Sequence, residues 1–280
     1  MTALAPRTER QLPIPVRPRR IAVRLAWGVA AVIFIGSFWG LDLDWAKLWG
    51  LPSDAARYLG LMFSDPDWSK LPEALFQTWR SVSMAWVGAL VGVVFSTLLG
   101  IPAAEGAGPM WVRLPLRWFF AVIRAIPEVI IAIIILTVTG LTPFTGALAL
   151  AIGGIGTHAK WTYETIEAAP TGTAEAVTAA GGNLLQVVRW GLWPSAAPEL
   201  MSLSLYRFEI NVRTSAILGL IGVGGIGDML TGYTQYRDWS TVGMLIIVVI
   251  VVTMAIDAVS GRIRRRIMEG AKVRDLDRIV

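Results

Sequence analysis

The chain is 280 residues long, 55% hydrophobic and only 16% charged, with 13 Trp and a net charge of +5, and its mean hydropathy is +0.59. Soluble chains carry about 25% charged residues, so these proportions exclude an ordinary soluble enzyme, and the apolar content excludes disorder. With no Cys and a single His, His158, there is no disulfide framework, thiol nucleophile, or Cys-ligated or paired-His metal site, and a Ser-His-Asp triad has one candidate base.

A bilayer-crossing helix needs about 20 mostly apolar residues. Residues 1–24 form a basic tail, with six Arg against Glu9. Leu25–Leu41 is uncharged and predicts the first span, kept as an anchor because no small-x-small cleavage site follows it. Residues 42–76 have the opposite balance, six acids against Lys47, Arg57 and Lys70. Ser81–Ala104 predicts the second span. Along it Gly88, Gly92, Ser96 and Gly100 recur every fourth residue, a smooth stripe suited to close packing within the chain or between subunits. Val129–Thr157 is uncharged over 29 residues, too long for one crossing. Gly140-Leu141-Thr142-Pro143 divides it, giving a third span that starts near Arg117 and a fourth from about Phe144 to His158.

Lys160–Arg207 reads as a long loop, with His158 a satisfied interfacial residue beside it. Thr214–Gly227 reaches spanning length only by starting near Tyr206, which places Arg207, Glu209 and Arg213 in its first turns. Trp239–Ile256 is the sixth span, and residues 263–280 form a second basic tail. Six spans put both termini on one side. Both are basic, so that side is the cytoplasm, and the acidic 42–76 segment falls outside. The expectation is an all-α, multi-pass protein of a prokaryotic cell membrane, with a five-helix core over 77–262. With no soluble domain to carry them, the basic tails point to lipid and not to nucleic acid.

Gly222-Val-Gly224-Gly225-Ile-Gly227 matches the dinucleotide pattern G-x-G-x-x-G. It lacks the preceding strand and the suitably spaced acid, so these glycines are expected to break a helix end or pack closely against a neighbour. No P-loop sequence is present, so ATP is not bound by that route. Ionisable groups inside spans cost about 2.5–3.5 kcal/mol each at a helix centre. Arg124 and Glu128, four apart on one helix face, and Arg207, Glu209 and Arg213 are therefore either ion-paired braces or part of a solute path.

Two stretches carry a family resemblance. Glu175-Ala176-Val177, three residues, Gly181, nine residues and, three further on, Pro194 is similar to the EAA loop of ABC importer permeases. Val177, Gly191 and Trp193 depart from the usual Ala, Ile and Leu. Glu209-Ile-Asn211-Val-Arg213-Thr-Ser215, continued to Gly227, closely resembles the fifth-span segment of phosphonate importer permeases, and Arg124-Ala-Ile-Pro127-Glu128 resembles their third-span sequence. The resemblance covers about residues 75–262.

It implies the type I importer permease fold, with a cytoplasmic coupling loop at about 164–200 docking on a separate ATPase through Glu175, Ala176, Gly181, Arg189 and Pro194. This loop is expected as a helix over Glu175–Ala180, a turn at Gly181, and a second helix from Asn183 to about Trp190. The implied partners are a second permease copy or a paralogue, two ATPase subunits that hold ATP and Mg, and an extracytoplasmic binding protein. That protein would touch residues 42–76 and the Gly232–Trp239 loop. This chain itself is expected to hold no cofactor or metal and to have no catalytic residue. Arg213, Asn211 and Ser215 are the expected substrate-path residues, with Arg124, Glu128 and Glu209 secondary. Other solutes (phosphate, phosphite, methionine, an osmolyte) fit the same class, while an ATP-independent transporter is disfavoured by the loop spacing and the lack of an inverted repeat.

Overall fold

The structure, a computed structural model, describes residues 20–39 and 44–276, and every regular element among them is helical. The basic tail before Arg20, the last residues of the predicted first span and the final four residues lie outside the described residues. The described residues fall into two units divided between Ala56 and Arg57.

The first unit holds α1 (Arg20–Trp39) and most of α2 (Trp45–Phe63). The helix over Ile21–Phe38 is long and apolar enough to cross a bilayer. Residues 42–76 were expected as an extracytoplasmic segment without a named element, yet they contain α2. Lys47, Gly50, Asp54 and Arg57 recur at helical spacing along one side of α2, with Leu48, Trp49 and Leu59 on the other, which is the pattern of an amphipathic helix.

The second unit is built on α3 (Leu71–Gly100), α6 (Pro143–Glu167) and α9 (Trp193–Gly219). The small-residue stripe of α3 lies on α6. A Cβ on Gly88 would stand 2.7 Å from Leu150 Cβ, on Gly92 3.0 Å from the Ala151 carbonyl, and on Gly100 2.8 Å from Thr162 Cβ. The stripe is thus used inside the chain. Ser96 completes it with a 2.8 Å hydrogen bond to His158 Nδ1, and Ser204 of α9 lies 3.0 Å from the other ring nitrogen. His158 is fully buried. It is not interfacial, because α6 continues nine residues beyond it to Glu167 and carries it into the three-helix contact.

The predicted third span is two helices, α4 (Met110–Ala125) and α5 (Glu128–Thr139), bent by 89°. Pro127 is the cause. The residue before a proline is driven out of the helical region, and Ile126 is extended at φ −98°, ψ 119°. Arg124 and Glu128 therefore lie on different helices and not on one face. The hairpin between α5 and α6 falls where the glycine and proline predict: Gly140 has φ +73°, and Thr142 caps α6 by accepting from Thr145 N. At the other end of α6, Glu167 pairs with Arg117 of α4 and accepts from Glu105 N at 2.8 Å.

After α7 (Thr171–Ala179) and the single turn α8 (Leu184–Gln186), a π-helical stretch over Val187–Leu192 runs directly into α9. The predicted separate second helix is in fact the lead-in to α9. Glycines at φ +91°, +91° and +83° (Gly222, Gly224, Gly225) break the chain after α9. Gly227 then packs against Gly219, with room for no side chain. The first half of the expected Gly232–Trp239 loop belongs to α10 (Ile226–Gln235). Only Tyr236–Asp238 separate it from α11 (Trp239–Leu276), which continues through most of the predicted basic tail. Asp238 accepts hydrogen bonds from Thr241 N, Thr241 Oγ1 and Ser240 Oγ at the start of α11. Desolvation raises its pKa, but these bonds and the Lys70 charge outweigh it and hold the carboxyl below its usual range.

The α3 and α11 regions, like α1, are long and apolar enough to span a bilayer, and the bent α4–α5 pair passes the same test jointly. Helices α6 and α9 have 25 and 27 residues, enough at 1.5 Å per residue to cross a core of about 30 Å. Thr145, His158 and Thr162 of α6 and Arg207, Glu209, Asn211 and Ser215 of α9 are buried in the bundle.

Candidate functional site

Two groups of residues stand out. The first is the hairpin between α6 and α9. Thr173 Oγ1 donates to the Gly191 carbonyl at 2.8 Å, and Gly191 lets α7 cross closely, since a Cβ there would stand 2.8 Å from Ala174 Cα. Gly181 turns the chain at φ +83°, a conformation that only Gly adopts without strain. Asn183 and Gln186 then form a reciprocal capping box, and Pro194 sits in the first turn of α9. Glu175, Ala176, Gly181, Arg189 and Pro194 are all exposed. So are Leu185 and Trp190, at 76% and 63%, which the sequence reading missed. Apolar residues after an Asn cap, in an otherwise polar loop, were the available signal. A groove of about 760 Å³ runs beneath, lined by Glu105, Ile166, Ala174, Glu175 and Leu192.

The second group runs along α9. Because α9 starts at Trp193, Arg207 and Glu209 lie in its middle and not in the first turns of a span. Arg207 is buried and pairs with Glu128 at the start of α5. Glycines of α6 make the space: a Cβ on Gly153 would meet Glu128 Cγ at 2.5 Å, and one on Gly154 would meet Arg207 Nε at 3.1 Å. Glu209, 4% exposed, pairs at 2.9 Å with Arg264 of α11. Arg213 pairs at 2.6 Å with Asp257 of α11, and this pair is half exposed, at 51% and 38%.

Asn211 and Ser215 do not join Arg213. Both are fully buried; Asn211 donates to the Ala85 carbonyl of α3 at 3.4 Å, and Ser215 to Val212 of its own helix. A helix advances 100° per residue, so Arg213 is on a different face from these two. Arg213 borders a cavity of about 130 Å³ with Thr78, Ser81 and Thr253. Arg124 is exposed at the end of α4. No cluster of three metal-ligating side chains occurs among the described residues.

Arg80 was also missed. It borders the charge-free run that marked the second span, so counting from Ser81 placed it outside. In the structure it is the tenth residue of α3. It lies beside Gly224, with Nη1 bonded to Gln77 at 3.3 Å.

The family model for the binding-protein-dependent transport system inner membrane component matches residues 96–269. The chain is 36% identical over 193 residues to the phosphate-import permease protein PhnE of Mycolicibacterium smegmatis, a match covering 68% of this chain and 36% of that protein. It thus spans about a third of that relative's length. It is 30% identical over 217 residues to the phosphite transport system permease protein PtxC of Stutzerimonas stutzeri, covering 77% and 78% of the two chains. Its fold matches an inward-facing structure of the MetNI methionine ABC transporter with a TM-score of 0.64 at 20% identity, over 72% of this chain and 99% of that one. The chain belongs to the family of inner membrane components of binding-protein-dependent transport systems, as an ABC importer permease similar to the phosphonate and phosphite branch.

Proposed function

We propose that this chain and a second copy, or a paralogue, line the path by which a phosphorus oxyanion crosses a prokaryotic cell membrane. An extracytoplasmic binding protein delivers the solute, and two separate ATPase subunits holding ATP and Mg drive the cycle. The chain crosses the bilayer six times, through α1, α3, the α4–α5 pair, α6, α9 and α11, with both termini in the cytoplasm.

The observation that carries this proposal is the exposed hairpin over residues 171–192, which passes without a break into α9. A push on Arg189 and Pro194 would reach the helix that bears Arg207, Glu209 and Arg213 directly, and one on Glu175, Ala176 and Gly181 would reach it through the packing of α7 on Gly191. Arg213 is the proposed path residue. Its guanidinium suits an oxyanion, and its pairing with Asp257 limits the affinity, as transit requires. Asn211 and Ser215 would shape the path from behind, and Arg124 would act near its inner end.

The substrate class rests on the similarity to phosphate and phosphite permeases, and the fold match to a methionine transporter makes methionine the second reading. The test is purification from native membranes with whatever binds, followed by uptake in proteoliposomes. A P-loop ATPase should co-purify, and Gly181→Val should leave the complex assembled but hydrolysing ATP without coupled uptake. Normal coupled uptake by the variant would remove the coupling role, and uptake without ATP would remove the importer assignment.

A further inference from the structure

Two breaks in helical structure, the α5–α6 hairpin and the α9–α10 turn, meet at one end of the second unit. Leu141 of the first lies over Gly222 of the second, 3.6 Å from where a Cβ would be, and Pro143 lies 3.5 Å from the corresponding point at Gly224. Arg80 reaches into this junction. Its Nη2 is 3.6 Å from the same point at Gly224. Its other contacts are the Gln77 amide oxygen and, at 6.0 Å, the Phe76 ring.

The charge balance there is unusual. Arg207, Arg213 and Arg264 each face a carboxylate, as do Arg113 and Arg117. Arg80 has no carboxylate partner among the described residues. The acid on its own face of α3, Glu73, is two turns away. Gln77 satisfies one nitrogen without cancelling the charge. Helix α3 begins at Leu71, so Arg80 sits roughly 14 Å along it at 1.5 Å per residue, directly before the charge-free run that starts at Ser81. A partly buried guanidinium in such a place is normally paired or faces water. Glycine at 224 leaves the guanidinium uncovered on that side, where a Cβ would stand in ordinary van der Waals contact with Nη2.

We propose that Arg80 is an anion-binding residue at the outer mouth of the path, where it takes the phosphorus oxyanion before Arg213 does. This rests on the oxyanion import and the orientation proposed above. The guanidinium offers its remaining N–H groups to two oxygens of a tetrahedral anion. Arg213 is already neutralised by Asp257, so Arg80 supplies the net positive charge that attracts the solute.

The chain contains no Cys, so Arg80→Cys places this subunit's sole thiol at the site. The assay is uptake of labelled phosphate, phosphite and methylphosphonate by the whole importer with its binding protein in proteoliposomes. Arg80→Cys should lower uptake at least tenfold in an assembled complex, and a cationic ethylammonium thiosulfonate should restore at least fivefold. The anionic sulfonatoethyl reagent should restore nothing, and Arg80→Lys should keep uptake within about threefold of wild type. Uptake by Arg80→Cys within twofold of wild type overturns the proposal, as does equal restoration by both reagents. If neither variant assembles, Arg80 is a brace and the proposal also falls. Should Arg80→Cys alone fail to assemble, Arg80→Lys decides: an altered order of preference among the three anions supports anion binding, and an unchanged order refutes it. Wild-type complex that carries none of the three anions refutes the oxyanion reading itself, and the Arg80 proposal with it.

Discussion

Arg207 and Glu128 form an ion pair that only a particular neighbourhood permits. Arg207 is 4% exposed and Glu128 20%, and both occupy space vacated by Gly153 and Gly154. Removing one partner from a buried pair costs about 3–5 kcal/mol, because the other charge is left uncompensated, whereas replacing both with apolar groups is often neutral. Arg207→Met should therefore lower the midpoint of thermal unfolding of the purified complex sharply. Glu128→Gln should do so less, because its amide oxygen still accepts from the guanidinium. The double variant Arg207→Met with Glu128→Met should recover most of the loss. If the double variant is as unstable as the sum of the single ones, the two residues do not act as a pair. The sequence showed that charges in this region needed partners, but it assigned Glu128 to Arg124. Spacing of four implies adjacency only on an unbroken helix, and Pro127 stands between them.

The α3–α6 contact is where regular spacing predicted most. Four small residues at intervals of four give a flat stripe whatever lies across it, so the stripe was legible. Its partner was not, because a stripe suits a neighbour within the chain as well as one outside it. The facing residues, Ala147, Leu150 and Ala151, are small or apolar without a spacing that distinguishes them. Adding bulk at Gly88 meets both Leu150 Cβ and, at 2.9 Å, the Ala147 carbonyl, and backbone cannot yield as a side chain end can. Gly88→Leu should cost at least the roughly 1–3 kcal/mol typical of overpacking, read as a lower unfolding midpoint and a lower yield of folded subunit. Gly232, inside α10 with nothing within 4 Å of a Cβ, is the control. There Ala should be neutral or stabilising by up to about 1 kcal/mol, from helix propensity alone. Equal effects at the two positions would mean that α3 and α6 do not pack through the stripe.

The charge-free runs that define α1, α3 and α11 were legible because those helices show apolar surface outwards. Helix α9 hid its true length. Arg207 and Glu209 sit buried and paired in its middle and Glu199 lies exposed nearer its start, so it read as a loop as far as Tyr206 and a short span after it. The same reasoning bears on topology. The proposed six-span topology puts the α5–α6 hairpin and the α10–α11 connection outside and the hairpin between α6 and α9 inside, on the side of the basic termini. Single cysteines at Leu141 and Tyr236, exposed by 60% and 85%, and at Leu185 and Met268, exposed by 76% and 37%, sample both sides without disturbing packed positions. A membrane-impermeant maleimide added to intact cells should label the first two, and the second two only after permeabilisation. Labelling of Leu185→Cys from outside would put the hairpin beyond the reach of any cytoplasmic ATPase. The continuous path from hairpin to α9 would then have nothing to push it, and the coupling assignment would fall even though the fold stood.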